Sequence, residues 1–240
     1  KYLLNYNFIN INIFDNSTNS LKYDPRFIKL FEHSNFKYNK NKSNLGLVGN
    51  FNKILKNINS DYFMILADDD FVNVTFIENS LKEFVNNNEL AWVGSKSLIY
   101  NIVDKEYYFV GYQLKSKNYH FDIDSNQYEY NTKYNLPLCS IIFNNKFLNK
   151  KVQINKIGDD RSLVFKISLN NKYKIINSIG GIFTINESSF SYNGGFSNFN
   201  KDFIKIFKNE EIKEIINYTH IKKKSKFFAI NKINLFYDSL

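Results

Sequence analysis

An apolar run, Tyr62-Phe63-Met64-Ile65-Leu66-Ala67, ends on consecutive carboxylates, Asp68, Asp69 and Asp70, and a helical pattern follows. No other stretch limits the fold as tightly. A short apolar run bounded by Asn59-Ser60-Asp61 on one side and acids on the other suits an interior strand of an α/β sheet. In such sheets ligands collect beyond the carboxyl ends of the strands, where these acids would sit. Adjacent carboxylates repel one another at neutral pH and call for a cation or a set of donors. Alternate residues of an extended strand share a side, so Asp68 and Asp70 are expected to address one divalent ion while Asp69 points elsewhere. Oxygen-only ligation favours Mg2+ or Mn2+, completed by water and phosphate oxygens, over zinc. The plainer alternative is a solvated acidic turn at the start of the next helix, a place where Asp is common.

The flanks are equally patterned. Asn44-x-Gly46-x-x-Gly49-Asn50 precedes a predicted helix whose apolar positions Leu47, Val48, Phe51, Ile54, Leu55 and Ile58 recur at helical spacing. Glycines there let the backbone approach a ligand, and a helix start favours anions. Beyond the acids, Ile77, Leu81, Phe84 and Val85 predict a helix that stops in Asn86-Asn87-Asn88. Residues 7–14 alternate as a strand ending at Asp15, and residues 23–31 read as a short helix with Pro25 in its first turn. Leu90-Ala91-Trp92-Val93-Gly94 reads as a strand, with Trp92 in the core or stacked on a sugar ring. Between residues 95 and 134 the pattern is aromatic and strand-like, and its tyrosines offer faces on which sugar C–H surfaces could stack. Leu163, Val164 and Ile167 make an apolar helical face after Asp159-Asp160, and residues 173–184 alternate around Gly180-Gly181.

Composition sets the outer bounds. A chain of 240 residues, 43% hydrophobic and 18% aromatic, can bury a full core. Its charge of +9 is carried by lysine, with arginine only at Arg26 and Arg161, a poor footprint for nucleic acid. A diffuse positive field suits an anionic sugar nucleotide or an anionic membrane surface. The one cysteine, Cys139, excludes an internal disulfide, fits a reducing compartment and reads as a small core residue. His33, His120 and His220 form no cluster, which argues against zinc. No apolar run is long enough to span a bilayer and no secretory signal opens the chain, so the expectation is a cytoplasmic protein, free or peripheral on the inner face of the membrane.

Four elements in order, Ile13-Phe14-Asp15-Asn16-Ser17-Thr18, Asn44-Leu45-Gly46 with Gly49-Asn50, Asp68-Asp69-Asp70, and Gly158-Asp159-Asp160-Arg161-Ser162-Leu163, resemble the inverting glycosyltransferases of family 2. The resemblance covers residues 8 to 195. It implies an α/β GT-A (Rossmann-like) fold, a mixed central sheet flanked by helices, over 1–195. A helical basic extension is expected over 196–240. In the resembled family a first strand and helix precede the segment matched here, so the catalytic domain is expected to lack them.

The resemblance also implies roles. A sugar would pass from a nucleoside diphosphate sugar to an acceptor hydroxyl with inversion, in surface polysaccharide or lipid-linked oligosaccharide synthesis. Asp15, Asn44, Gly46, Asn50, Asp68 and Asp69 would bind the nucleotide sugar, although Asp15 reads equally well as an Asx-turn residue. Asp68 and Asp70 would hold the metal. Asp160, with Asp159 as the alternative, would take the acceptor's proton, whereas a capping role is the plainer reading of Asp159. Where many relatives carry a histidine near the diphosphate, this chain has Asn186. Basic and aromatic residues within 203–228 would suit an anionic membrane carrying a lipid-linked glycan acceptor, or would pack on the domain. The competing classes are a metal-dependent phosphoryl-transfer enzyme or nuclease, and a noncatalytic nucleotide-sugar-binding module.

Overall fold

The computed structural model of the chain describes residues 3, 6–18, 24–103, 105–110, 118–121, 136–149, 152–155, 160–168 and 171–187. Asp159, Tyr128-Glu129-Tyr130, the 203–228 segment and the expected 195/196 boundary lie outside the described residues, as does the expected tail helix. The chain falls into two compact units, Lys1–Ile58 with Gln153–Ile157, and Asn59–Val152 with Gly158–Leu240.

In the first unit, β1 (Ile11–Asp15) pairs in parallel with β2 (Phe36–Lys40), Ile11 opposite Phe36 and Asp15 opposite Lys40. The strand starts later than the alternation predicts because the Ile9 amide bonds back to Tyr6 O and turns the chain. Between the strands lies α1 (Pro25–Ile28), opened by a proline whose missing N–H has no helical partner to lose. Phe31 meets both Phe36 and Tyr38 edge to face. The next element is α2 (Gly46–Lys56). Its apolar stripe points inward only in part: Leu55 is fully buried, whereas Leu47 is 56% exposed. From the same helix, the Asn52 side chain exchanges both hydrogen bonds, each 2.8 Å, with the Ile154 backbone. That pairing helps anchor Gln153–Ile157 in this unit.

The second unit is built on a mixed sheet of seven strands. They are β3 (Tyr62–Phe63), β4 (Phe71–Val72), β5 (Leu90–Asn101), β6 (Glu106–Val110), β7 (Asn118–Phe121), β8 (Ile141–Asn144) and β9 (Lys172–Ile185). The main path runs β3-β8-β5-β9-β4, with β6 on β5 and β7 on β9. The long central pair β5 and β9 is parallel, and the other pairings are antiparallel. Parallel pairing needs a crossover, and α4 (Asp160–Ser168) leads into β9. Leu163, Val164 and Ile167 of α4 are buried, as their spacing predicts.

Helix α3 (Val74–Asn86) follows the acids after the two-residue strand β4. Asn73 starts it by accepting from the Thr75 amide, and ties that start to β9 by donating to Ile179 O. Phe76 and Phe84 of α3 pack with Leu90, Val93, Ile142 and Ile176 to form the core, and Tyr62 stacks on Phe84. Trp92 is a core residue: it lies flat on Tyr173 at 4.2 Å and donates to Ser168 Oγ at 2.7 Å. The Lys174–Glu83 ion pair, 2.5 Å, joins β9 to α3.

Residues 173–184, which alternate around Gly180-Gly181, form one strand. A Cβ on Gly181 would lie 2.5 Å from both Cys139 O and Phe71 O, so these glycines serve close approach. A 3-10 turn at Leu138–Ser140 precedes β8.

Candidate functional site

Within the first unit, the end of β1 and the start of α2 are joined by a polar network. Lys53 can only donate, and its ammonium lies 2.6 Å from Asn41 Oδ1. The Asn41 amide must therefore turn its NH2 the other way, to Asn16 Oδ1 at 2.9 Å and Asn50 Oδ1 at 2.8 Å. Asn50 in turn donates to Phe14 O, and Asn16 donates to Asn44 Oδ1 and Gly46 O. Asn44 Oδ1 also receives the Gly46 amide, and Asn16 Oδ1 the Leu45 amide. Gly46 stands at φ +65 with open space around it, so its need is conformational. Thus Asn44, Gly46 and Asn50 lie together, with the side chains of Asn44 and Asn50 hydrogen-bonded inside the protein. Asn16, from the first matched motif, joins them, whereas Asn41 and Lys53, which complete the network, gave no signal in a chain so rich in Asn and Lys.

Asp15 sits beside this network, buried at the end of β1. Its Oδ1 receives the Ser17 amide at 2.8 Å and the Ser17 hydroxyl at 2.6 Å, an Asx-turn arrangement. Its Oδ2 receives the Tyr38 hydroxyl and lies 3.2 Å from the Lys40 ammonium. Burial pushes the carboxyl up, but the donors of Ser17, Tyr38 and Lys40 together hold it well below the ordinary carboxylate range. Of the two sequence readings, this geometry is that of the Asx turn, and a base donor would have to displace an internal one.

The acids of the second unit occupy a turn. Residues 64–67 leave the ladder after the short strand β3, which lies at one end of the main path, and the Asp70 amide bonds back to Ala67 O at 3.3 Å. Asp68 and Asp69 are therefore the middle of a turn and do not follow strand alternation. The interior strand expected at 62–67 is cut short because the chain must reverse into β4, which pairs with β9. Asp68 is exposed; Asp69 and Asp70 are half-buried.

Both half-buried acids are held from the end of β9. The Thr184 amide donates to Asp70 Oδ1 at 2.9 Å, and the Asn186 side-chain amide donates to Asp69 Oδ2 at 2.9 Å. Burial raises the pKa of Asp69, and the Asp68 charge adds to it, against the opposing Asn186 bond. Burial pushes Asp70 up to about 7, the Asp69 and Asp68 charges adding, although the Thr184 amide and the Cys139 thiol donate to it. Burial and the Asp70 charge also push the Cys139 thiol far up, so it stays protonated. Leu66 and Phe71, either side of the turn, are exposed.

An oxygen-only donor set carrying mutual repulsion fits a hard divalent cation. Among the described residues no three His, Cys, Asp or Glu side chains gather into a cage. Asp160 is the first residue of α4; its side chain lies outside the described residues.

The sequence matches the family described as Glycosyl transferase family 2 over residues 3–153, which takes in every predicted site residue up to Asp70 and ends before Asp159. No curated protein matches the chain by sequence. Among solved structures, S. aureus TarS 1-349 in complex with UDP-GlcNAc superposes with a TM-score of 0.57 at 11% identity, covering 84% of this chain and 58% of that one. TarS 1-349 in complex with UDP gives 0.54 at 14% identity, covering 84% and 57%. The chain thus spans a little over half the length of those structures and shares their fold, the GT-A fold that the sequence resemblance implies. No helix among the described residues is long and apolar enough to cross a membrane.

Proposed function

Since the chain belongs to glycosyl transferase family 2, we propose that it transfers a sugar from a nucleoside diphosphate sugar to an acceptor hydroxyl with inversion. The observation that carries this reading is the acidic turn at 68–70, inside the matched region and held by a strand end. Asp68 and Asp70 would hold Mg2+ or Mn2+. When bound, the ion would supply positive charge to the leaving diphosphate. Asp69 would receive the ribose or donor sugar. The first turn of α2 would present backbone N–H groups to an anion of the nucleotide sugar, with Asn44, Gly46 and Asn50 shaping the loop that opens it and Asp15 the adjoining turn.

The acceptor oxygen forms its bond to the anomeric carbon on the face opposite the diphosphate. The carbon–oxygen bond to the diphosphate breaks, and its electron pair leaves with that oxygen. Asp160, with Asp159 as the alternative, would take the acceptor's proton. A glycan or lipid-linked acceptor, in surface polysaccharide or lipid-linked oligosaccharide assembly, and peripheral attachment through 203–228 complete the reading. UDP-GlcNAc and UDP are bound by the TarS structures of the same fold, so uridine diphosphate sugars are the first donors to test.

The experiment is a thermal-shift panel of nucleotide sugars with and without Mn2+, followed by turnover of any hit. Asp70→Asn and Asp160→Asn should each abolish transfer while leaving the fold intact. Full activity in either variant refutes the assignment of that residue.

A further inference from the structure

Strand β9 ends by contacting two neighbouring acids of the 68–70 turn, through the Thr184 backbone at Asp70 and the Asn186 side chain at Asp69. We propose that Asn186 is a positioning residue for the donor: its amide holds the Asp69 carboxylate in the orientation in which Asp69 receives the ribose or sugar. The inference rests on the transferase reading and deepens it.

Three observations support it. Asp69 is central in a turn closed by the Asp70 amide on Ala67 O, with Asp68 adjacent in sequence, so the Asp69 carboxylate has a like charge beside it. The Asn186 amide supplies the opposing pull, at 2.9 Å. Its anchor is fixed: Ile185 pairs with Asn101, the Ile102 amide donates to Ile185 O at 2.9 Å, and the Thr184 amide is committed to Asp70. An amide nitrogen has no lone pair to offer a cation, so through that nitrogen Asn186 acts on Asp69 by donation.

The test uses the 240-residue chain with the uridine diphosphate sugar that the wild type turns over. Asn186→Leu keeps the side chain's size and removes the donor. Hydrogen bonds to charged groups are among the stronger ones, so the donor KM should rise about tenfold with kcat within about twofold. Asn186→Asp sets a like charge against Asp69 and should raise KM further, whereas Asn186→His restores a ring N–H donor and should return KM to within about threefold of wild type. Thermal midpoints measured alongside should stay within about 3 °C, because the bond lies at the end of a strand.

A donor KM unchanged in Asn186→Leu, or a loss confined to kcat, overturns the inference. So does a histidine variant that folds with an unchanged midpoint and gives no recovery. If the leucine variant fails to fold, Asn186→His against Asn186→Asp decides by the same ordering of KM. A wild-type chain that binds and turns over no nucleoside diphosphate sugar sinks the transferase reading and this one with it, which distinguishes that failure from a failure of Asn186 alone.

Discussion

Replacing Asn41 by leucine tests whether the polar network of the first unit is a structural necessity. Asn41 is 4% exposed and its side chain makes bonds to Asn16, Asn50 and Lys53. Two neutral bonds at about 1 kcal/mol each and one to an ammonium at about 2 kcal/mol amount to roughly 4 kcal/mol. The Lys53 ammonium is half-buried and regains water, and the leucine gains apolar burial, which together return about 1 kcal/mol. The expected loss is about 3 kcal/mol, or roughly 6–12 °C in Tm for a chain of this size. Urea denaturation followed by far-UV circular dichroism reads it as a lower midpoint at unchanged m value.

Asn41→Asp sharpens the test. It keeps the shape and the Lys53 bond but turns an acceptor toward Asn16 Oδ1 and Asn50 Oδ1. Neither neighbour can flip to answer: Asn50 would lose Phe14 O, and Asn16 would face Asn44 Oδ1 and Gly46 O with an oxygen. A loss of about 2 kcal/mol is expected at pH 7. If Asn41→Leu costs less than about 1 kcal/mol and Asn41→Asp nothing, the argument that both ends fix the direction of the network is wrong.

Three further outcomes follow from the geometry. Asp15 is held below the carboxylate range in the fold, whereas the unfolded chain takes its proton near 3.8. Its contribution is full above pH 4 and drains away as pH falls through the folded pKa, so Asp15→Asn should flatten the acid limb of a stability–pH curve. Gly181→Ala drives a Cβ against two backbone carbonyls and should cost about 3 kcal/mol, read by thermal unfolding; a neutral result would mean that β4 and the 138–140 turn give way freely. Ser80, fully buried in α3, has a hydroxyl with no partner among the described residues, so Ser80→Ala should raise stability by about 1 kcal/mol, and a loss would point to a bond held by water.

Much of the second unit could be read from local chemistry. Helix α3 begins where Asn73 caps it and ends where three asparagines follow the apolar face. Trp92 lies in a run whose every member is buried, as an interior strand requires. What could not be read was set by partners far away in sequence. The run 62–67 looks like a full strand, yet only Tyr62 and Phe63 pair, since the turn at 68–70 is docked on Thr184 and Asn186 more than a hundred residues later. Nothing local announces that Cys139 and Phe71 come to lie against Gly181. Asn16 and Asn41 follow no period, so their hydrogen bonds left no pattern to find. The resemblance put Asp68, Asp69 and Asp70 in one site, and the structure supplies what holds two of them.

One consequence of the 138–140 turn is practical. The chain's single sulfur nucleophile, Cys139, is sealed in the interior and locked in its unreactive form beside Asp70. A new cysteine at an open position such as Val85, 83% exposed on α3, would consequently be the one thiol that a maleimide dye finds. The native sequence thus accepts a site-specific fluorophore with no background to engineer away.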